Sequence, residues 1–255
     1  MSKKRLGIIQ SRGLGDLVIA LPIARYYHDQ GYLVHWPIAE QFMSSMTQAA
    51  PWVKWIPLTV DHGAYFYETP MERLRNFKCD EIICLYQSLS SMPELQARPE
   101  FQITKFDQIK YYEAGVPFTH KWRLSECITR NPEREQALKS LVLGDYTGAY
   151  CVLHLDGSDH RAEFDLSAIP PEYRVIEVRD QTDSIFDWLG LLESAEVIVC
   201  VDSVMANIVD QMLINQTVDS YFIPRSHIQL TPVLNGPWTF VDPGEQVKQR
   251  IRVFR

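Results

Sequence analysis

The stretch Ile8-Ile9-Gln10-Ser11-Arg12-Gly13-Leu14-Gly15-Asp16-Leu17-Val18-Ile19-Ala20-Leu21-Pro22 decides the fold class. A short apolar run gives way to polar residues and two glycines, and apolar residues then recur at helical spacing. This order predicts a strand, a turn and a helix. Gly13 and Gly15 permit positive φ and close approach of a ligand to the backbone, so a site at the carboxyl end of the strand is expected. Asp16 stands where a carboxylate either caps the new helix or acts on a ligand, with Arg12 nearby.

Outward from that stretch, Arg5 to Gln10 reads as the strand and Asp16 to Gln30 as the helix, with Pro22 in its second turn, where a missing N–H costs little. Gly31 ends the helix and Leu33-Val34-His35-Trp36 opens a second strand, completing a β-α-β unit. A short helix over Ala39 to Met46, a strand over Val53 to Leu58 and a helix over Pro70 to Phe77 capped by Thr69 follow. Asp80 to Tyr86 then enters the sheet, and Thr104 to Ala114 is helical. The aromatics Tyr65-Phe66-Tyr67, Tyr111-Tyr112 and Trp122 read as core or interface before they read as a stacking platform.

Asn131 and Pro132 open a helix that runs to Leu143, and the polar turn Gly144 to Gly148 reads as a linker. Beyond it the alternation resumes: strand Tyr150 to Leu155, strand Arg174 to Val178, helix Ser184 to Ser194, strand Glu196 to Val201, helix Met205 to Leu213 and strand Ser220 to Ile223. The expected architecture is α/β: two Rossmann-like domains, residues 1–144 and 145–255, facing each other across a cleft.

Composition narrows the function. The chain has 255 residues, 46% of them hydrophobic, which supports a real core. A net charge of −7 does not favour non-specific nucleic-acid binding, although a local basic patch is not excluded by it. Apolar runs such as Val197 to Val201 fall far short of the roughly 20 residues of a membrane helix. The basic start, Met1 to Arg5, leads into a strand rather than a signal peptide, so a cytoplasmic protein is expected. Five cysteines without a CxxC pair and seven histidines without metal-ligand spacing predict no metal site.

The second half carries a resemblance. Val197-Ile198-Val199-Cys200-Val201-Asp202-Ser203-Val204-Met205-Ala206-Asn207 is similar to the late motif of the heptosyltransferase-like glycosyltransferases, a strand ending in Asp-Ser/Thr-Gly followed by His and a small-residue helix. Gly15-Asp16-Leu17 with Leu21-Pro22 resembles the same family's N-terminal signature. His154-Leu155-Asp156-Gly157-Ser158 resembles the turn opening its donor domain, and Phe222-Ile223-Pro224-Arg225 with Thr231-Pro232 resembles its closing loop. Val204 replaces the family's Gly, Asn207 its His, and Arg161 is a candidate counterpart for its donor-domain Lys.

The resemblance implies a GT-B-like fold and metal-independent inverting transfer of a sugar from a nucleotide-sugar co-substrate, with no other cofactor. Asp16 would be the general base. Ser158, Arg161 and the start of the helix after Ser203 would face the departing diphosphate, and Asp202, Ser203 and Asn207 the sugar hydroxyls. Arg12, Gly13, Gly15, His160 and Arg225 are secondary candidates. The acceptor would be a glycan, a protein or a hydroxylated DNA base. Two other classes fit parts of the chain: an NAD-dependent oxidoreductase, from strand-Gly13-x-Gly15-helix, and an inactive binding module, from the Val204 and Asn207 departures. Asp202 and Ser203 are also well suited simply to cap the helix after them.

Overall fold

The computed structural model describes residues 3–59, 64, 66–86, 105–158, 161–224 and 231–241. The chain forms two compact units, residues 1–129 and 130–255.

In the first unit, β1 (Arg5–Ile9), β2 (Leu33–Ala39), β3 (Lys54–Leu58) and β4 (Glu81–Cys84) form an all-parallel sheet in the order β3-β2-β1-β4. Leu6, Ile8 and Ile9 of β1 are fully buried, as an interior strand covered on both faces requires. The helices are α1 (Leu14–Asp29), α2 (Met43–Ala49), α3 (Glu68–Asn76) and α4 (Phe106–Glu113). α3 packs closely on β1: a Cβ at Gly7 would stand 2.8 Å from Leu74 Cδ1, so any larger residue there would displace the Leu74 side chain.

Two helices start earlier than the sequence suggests. α1 begins at Leu14 with Gly13 as N-cap at φ 77°, so Asp16 is the third residue of the helix and not its cap. Pro22 therefore lies in the helix interior, and the buried run Leu17 to Ala24 holds α1 against the sheet despite the missing N–H. α3 begins at Glu68 with Tyr67 as N-cap, which puts Thr69 and Pro70 inside its first turn.

In the second unit, α5 (Pro132–Leu143) precedes β5 (Tyr150–His154), β6 (Arg174–Glu177), α6 (Leu189–Glu193), β7 (Val197–Val201), α7 (Val204–Gln211), β8 (Asp219–Ile223) and β9 (Trp238–Phe240). The sheet is again all parallel, in the order β6-β5-β7-β8-β9. Every residue of β5 and β7 is buried. Asn131 caps α5 by accepting a hydrogen bond from Arg134 N at 3.2 Å, with Pro132 at the first helical position.

The boundary falls before α5, whereas the polar turn after it had suggested a division at 144/145. Arginines explain the difference. Arg134 pairs with Asp183 and with Asp187 at 2.7 Å, and Arg130 pairs with Glu135 and with Glu193 at 2.7 Å, which ties α5 to the segment around α6. Gly144 to Gly148 is thus a connection within the second unit.

Among the described residues no helix is long and apolar enough to cross a membrane. All five cysteines are free thiols. Burial pushes Cys79 up to about 11 and Cys127 and Cys151 to about 12, so these behave as small core residues, not nucleophiles.

Candidate functional site

Each sheet reverses its strand order at one place: between β1 and β4 in the first unit and between β5 and β7 in the second. At such a switch point the following connections diverge and leave a crevice at the carboxyl ends of the strands, where ligands of open α/β sheets bind. Arg12, Gly13, Gly15 and Asp16 stand at the first of these places, and Asp202, Ser203 and Asn207 at the second.

In the first unit the turn after β1 is held from below. Tyr86, just past β4, places its hydroxyl oxygen so that it accepts from Ser11 N at 2.9 Å and Arg12 N at 2.6 Å, with Ser11 Oγ at 3.1 Å. Burial raises the Tyr86 phenol, so it keeps its proton. Gln10 is fully buried; its Nε2 donates to Arg12 O at 2.9 Å, and its carbonyl accepts from Trp36 Nε1 at 2.9 Å. Above the turn sits Asp16, 36% exposed, with Oδ2 over Gly13: a Cβ there would lie 2.5 Å from it. Gly13 therefore serves both the positive φ and the placement of the acid.

Asp16 Oδ1 is 3.2 Å from Nζ of Lys110, a side chain only 7% exposed on α4. Arg12 stacks its guanidinium 5.0 Å from the Phe66 ring, which in turn meets Tyr86 edge-on at 5.2 Å. Arg12, Gly13, Gly15 and Asp16 are thus brought together. One feature weighs against the dinucleotide reading: a carboxylate lies over Gly13, where a pyrophosphate would approach the backbone.

In the second unit the switch point gathers His154, Asp202, Ser203 and Asn207. Ser203 is the N-cap of α7 by position, with extended backbone, but its hydroxyl makes no bond to the helix. It lies 2.9 Å from His154 Nδ1 at the end of β5. The simple capping role is therefore not what this hydroxyl does. Burial pushes His154 down to about 4, against a smaller opposing effect of Asp156, so the ring is neutral near pH 7.

Asn207 is 5% exposed; its Nδ2 donates to Ser203 O at 3.0 Å, while its Oδ1 is buried with no hydrogen-bond partner among the described residues. Such an oxygen costs free energy unless something at the site satisfies it. Asp202 is 6% exposed, its N–H bonded to Ile223 O at 2.9 Å.

Ser158 and Arg161 follow β5, and Arg161 reaches towards β6. Ser158 is exposed at a bend. Arg161 is engaged by two carboxylates, Asp156 at 2.8 Å and Glu177 at the end of β6, and Arg179 also reaches Glu177 at 2.6 Å. His160 and Arg225 lie outside the described residues. Among the described residues no group of three or more His, Cys, Asp or Glu side chains is placed to hold a metal ion.

Sequence reasoning missed Gln10, Tyr86, Lys110 and His154 as members of these clusters. One signal was available: Asp107, Lys110, Tyr111 and Ala114 recur at helical spacing on one stripe, all of it buried, and two are charged. Ionisable residues on a buried stripe have partners worth finding.

Neither protein-family models nor curated proteins match the chain. Solved structures do, along most of its length. A glycosyl transferase of family 9 from Veillonella parvula matches with a TM-score of 0.58 at 12% identity, over 98% of this chain and 90% of that one. The E. coli heptosyltransferase WaaC, solved with ADP-2-deoxy-2-fluoro heptose, matches with a TM-score of 0.51 at 13% identity, over 93% of this chain and 92% of that one. The iron-containing dodecameric glycosyltransferase TibC of E. coli matches at 0.52 and 12% identity, over 94% of this chain and 62% of its own. The chain thus shares the α/β, GT-B-type fold of the heptosyltransferases and family 9 glycosyltransferases.

Proposed function

We propose that this protein is a glycosyltransferase that moves a sugar from a nucleotide-sugar donor to an acceptor hydroxyl by inverting transfer, with Asp16 of the first unit as general base. The observation that carries the proposal is the placement of Asp16: a half-open carboxylate at the first sheet's switch point, held by Lys110 at Oδ1 and lying over Gly13 with Oδ2. An acceptor hydroxyl is the natural ligand of such a group. General-base assistance of this kind contributes about 10²- to 10⁴-fold.

The second unit would hold the donor. Asp202 and the unsatisfied Asn207 Oδ1 are suited to accept hydrogen bonds from sugar hydroxyls. The start of α7 and the Arg161 guanidinium would face the leaving diphosphate without a metal ion; for Arg161 the phosphates compete with Asp156 and Glu177.

Thermal unfolding in the presence of EDTA tests this reading. A panel of nucleoside diphosphates and their sugars should contain one that stabilises the protein, by about 2.7 kcal/mol at 100 times its Kd. Stabilisation only with added magnesium or manganese would contradict the metal-independent mechanism, and a preference for NAD(H) over every nucleoside diphosphate would contradict the transferase.

A further inference from the structure

Lys110 is the most constrained cation of the first unit's site. Its ammonium donates to Gln10 Oε1 at 2.6 Å and to Leu85 O at 3.1 Å, and it lies 3.2 Å from Asp16 Oδ1. An ammonium has three N–H groups, and three acceptors surround this one. Two of them anchor it: Gln10 is fully buried at the end of β1 and Leu85 follows β4, so the cation is fastened to both strands that flank the switch point. The third partner is the acid. Gln10 also reaches Arg12 O through its other amide atom, so one buried ammonium fixes both the turn and the carboxylate above it.

We propose that Lys110 is a positioning residue for Asp16, a role that rests on the reading of Asp16 as the base. By taking Oδ1 it fixes the rotation of the carboxylate and leaves Oδ2, which lies over Gly13, to meet the acceptor hydroxyl. Lys110 acts through Asp16, not on the sugar. A carboxylate released from this hold would sample orientations unsuited to proton transfer, and misplacement by about 1 Å costs up to about 100-fold in rate.

The test is a cycle of four proteins: wild type, Lys110→Met, Asp16→Asn and the double variant. A panel of ADP-, UDP- and GDP-sugars is used with water as the acceptor hydroxyl, so that each turnover releases one free sugar and one nucleoside diphosphate; release of the diphosphate is the rate and thermal unfolding the check on folding. Lys110→Gln, which keeps a hydrogen-bond donor, is run beside Lys110→Met against the risk of misfolding. The expected result is a fall in kcat of about 10- to 100-fold in Lys110→Met with donor KM unchanged. In the Asp16→Asn background the same change should cost nothing further, because the group through which Lys110 acts is gone.

Near-normal kcat in Lys110→Gln beside a loss in Lys110→Met supports the proposal, because the donor to Asp16 is kept. Near-normal kcat in folded Lys110→Met, or an equal loss in both backgrounds, overturns the proposal while leaving Asp16 in place. So does failure of both Lys110 variants to fold, which would make the residue a stability element. Asp16→Asn with wild-type turnover overturns the base assignment instead, and a panel in which wild type turns over no donor overturns the transferase reading.

Discussion

His154 links the second site to the stability of the protein under acid. Its ring is 9% exposed, and burial lowers its pKa from 6.5 to about 4. In the unfolded chain the imidazole takes up a proton near pH 6.5, whereas in the folded chain it stays neutral until about pH 4. The stability it permits is therefore fully present above pH 6.5 and is lost as pH falls through that window. A shift of this size corresponds to about 3 kcal/mol. His154→Asn removes the titrating group while its amide still pairs with Ser203 Oγ.

The assay is urea denaturation from pH 7.5 to 4, followed by pulse-labelling hydrogen exchange and mass spectrometry on peptides covering β5 and β7, which isolates the second unit. Wild type should lose about 3 kcal/mol more than His154→Asn across that range. Parallel pH profiles for the two proteins would refute the reasoning, because they would mean that His154 is protonated in the folded state as readily as in the unfolded one.

Two further substitutions probe the first unit. Gly13→Ala should lower turnover without weakening donor binding, because its methyl would stand 2.5 Å from Asp16 Oδ2, and should destabilise the protein by about 1–2 kcal/mol for an alanine at φ 77°; kinetics and calorimetry check both. Lys121→Met should cost about 3–5 kcal/mol in chemical denaturation, because it removes the ammonium paired at 2.7 Å with the fully buried carboxylate of Asp107, and a Lys121→Met/Asp107→Leu double variant should recover most of that loss.

The strand segments β1 to β8 were legible because interior parallel strands are continuous apolar runs separated by turn signals, as in β1, β5 and β7, whereas the short edge strand β9 was missed. The end of α5 and its Asn131 cap were legible for the same local reason. The start of α1 was not: Gly13 caps through its backbone, and nothing in the residue types separates that from a cap at Asp16. The domain boundary was misplaced because Arg130 and Arg134 act over more than forty residues, on Glu193, Asp183 and Asp187. Asp16, Asp202, Ser203 and Asn207 were singled out by motif position alone, and the fold puts them at the two switch points. Their partners were not, since Lys110 reaches Gln10 across 100 residues and His154 reaches Ser203 across 49. Such pairings follow from strand order, which periodicity does not give.

The account rests most heavily on Asp16, and Asp16→Asn tests it most directly. Asparagine keeps the size of the side chain and the ability to pair with Lys110 Nζ through its Oδ1, while removing the capacity to accept a proton. With the donor that gives the largest thermal stabilisation and a verified acceptor, turnover should fall by about 10²- to 10⁴-fold while donor affinity and unfolding temperature stay unchanged. Near-wild-type transfer by Asp16→Asn would contradict the account and leave the carboxylate as the occupant of a glycine turn at the start of α1.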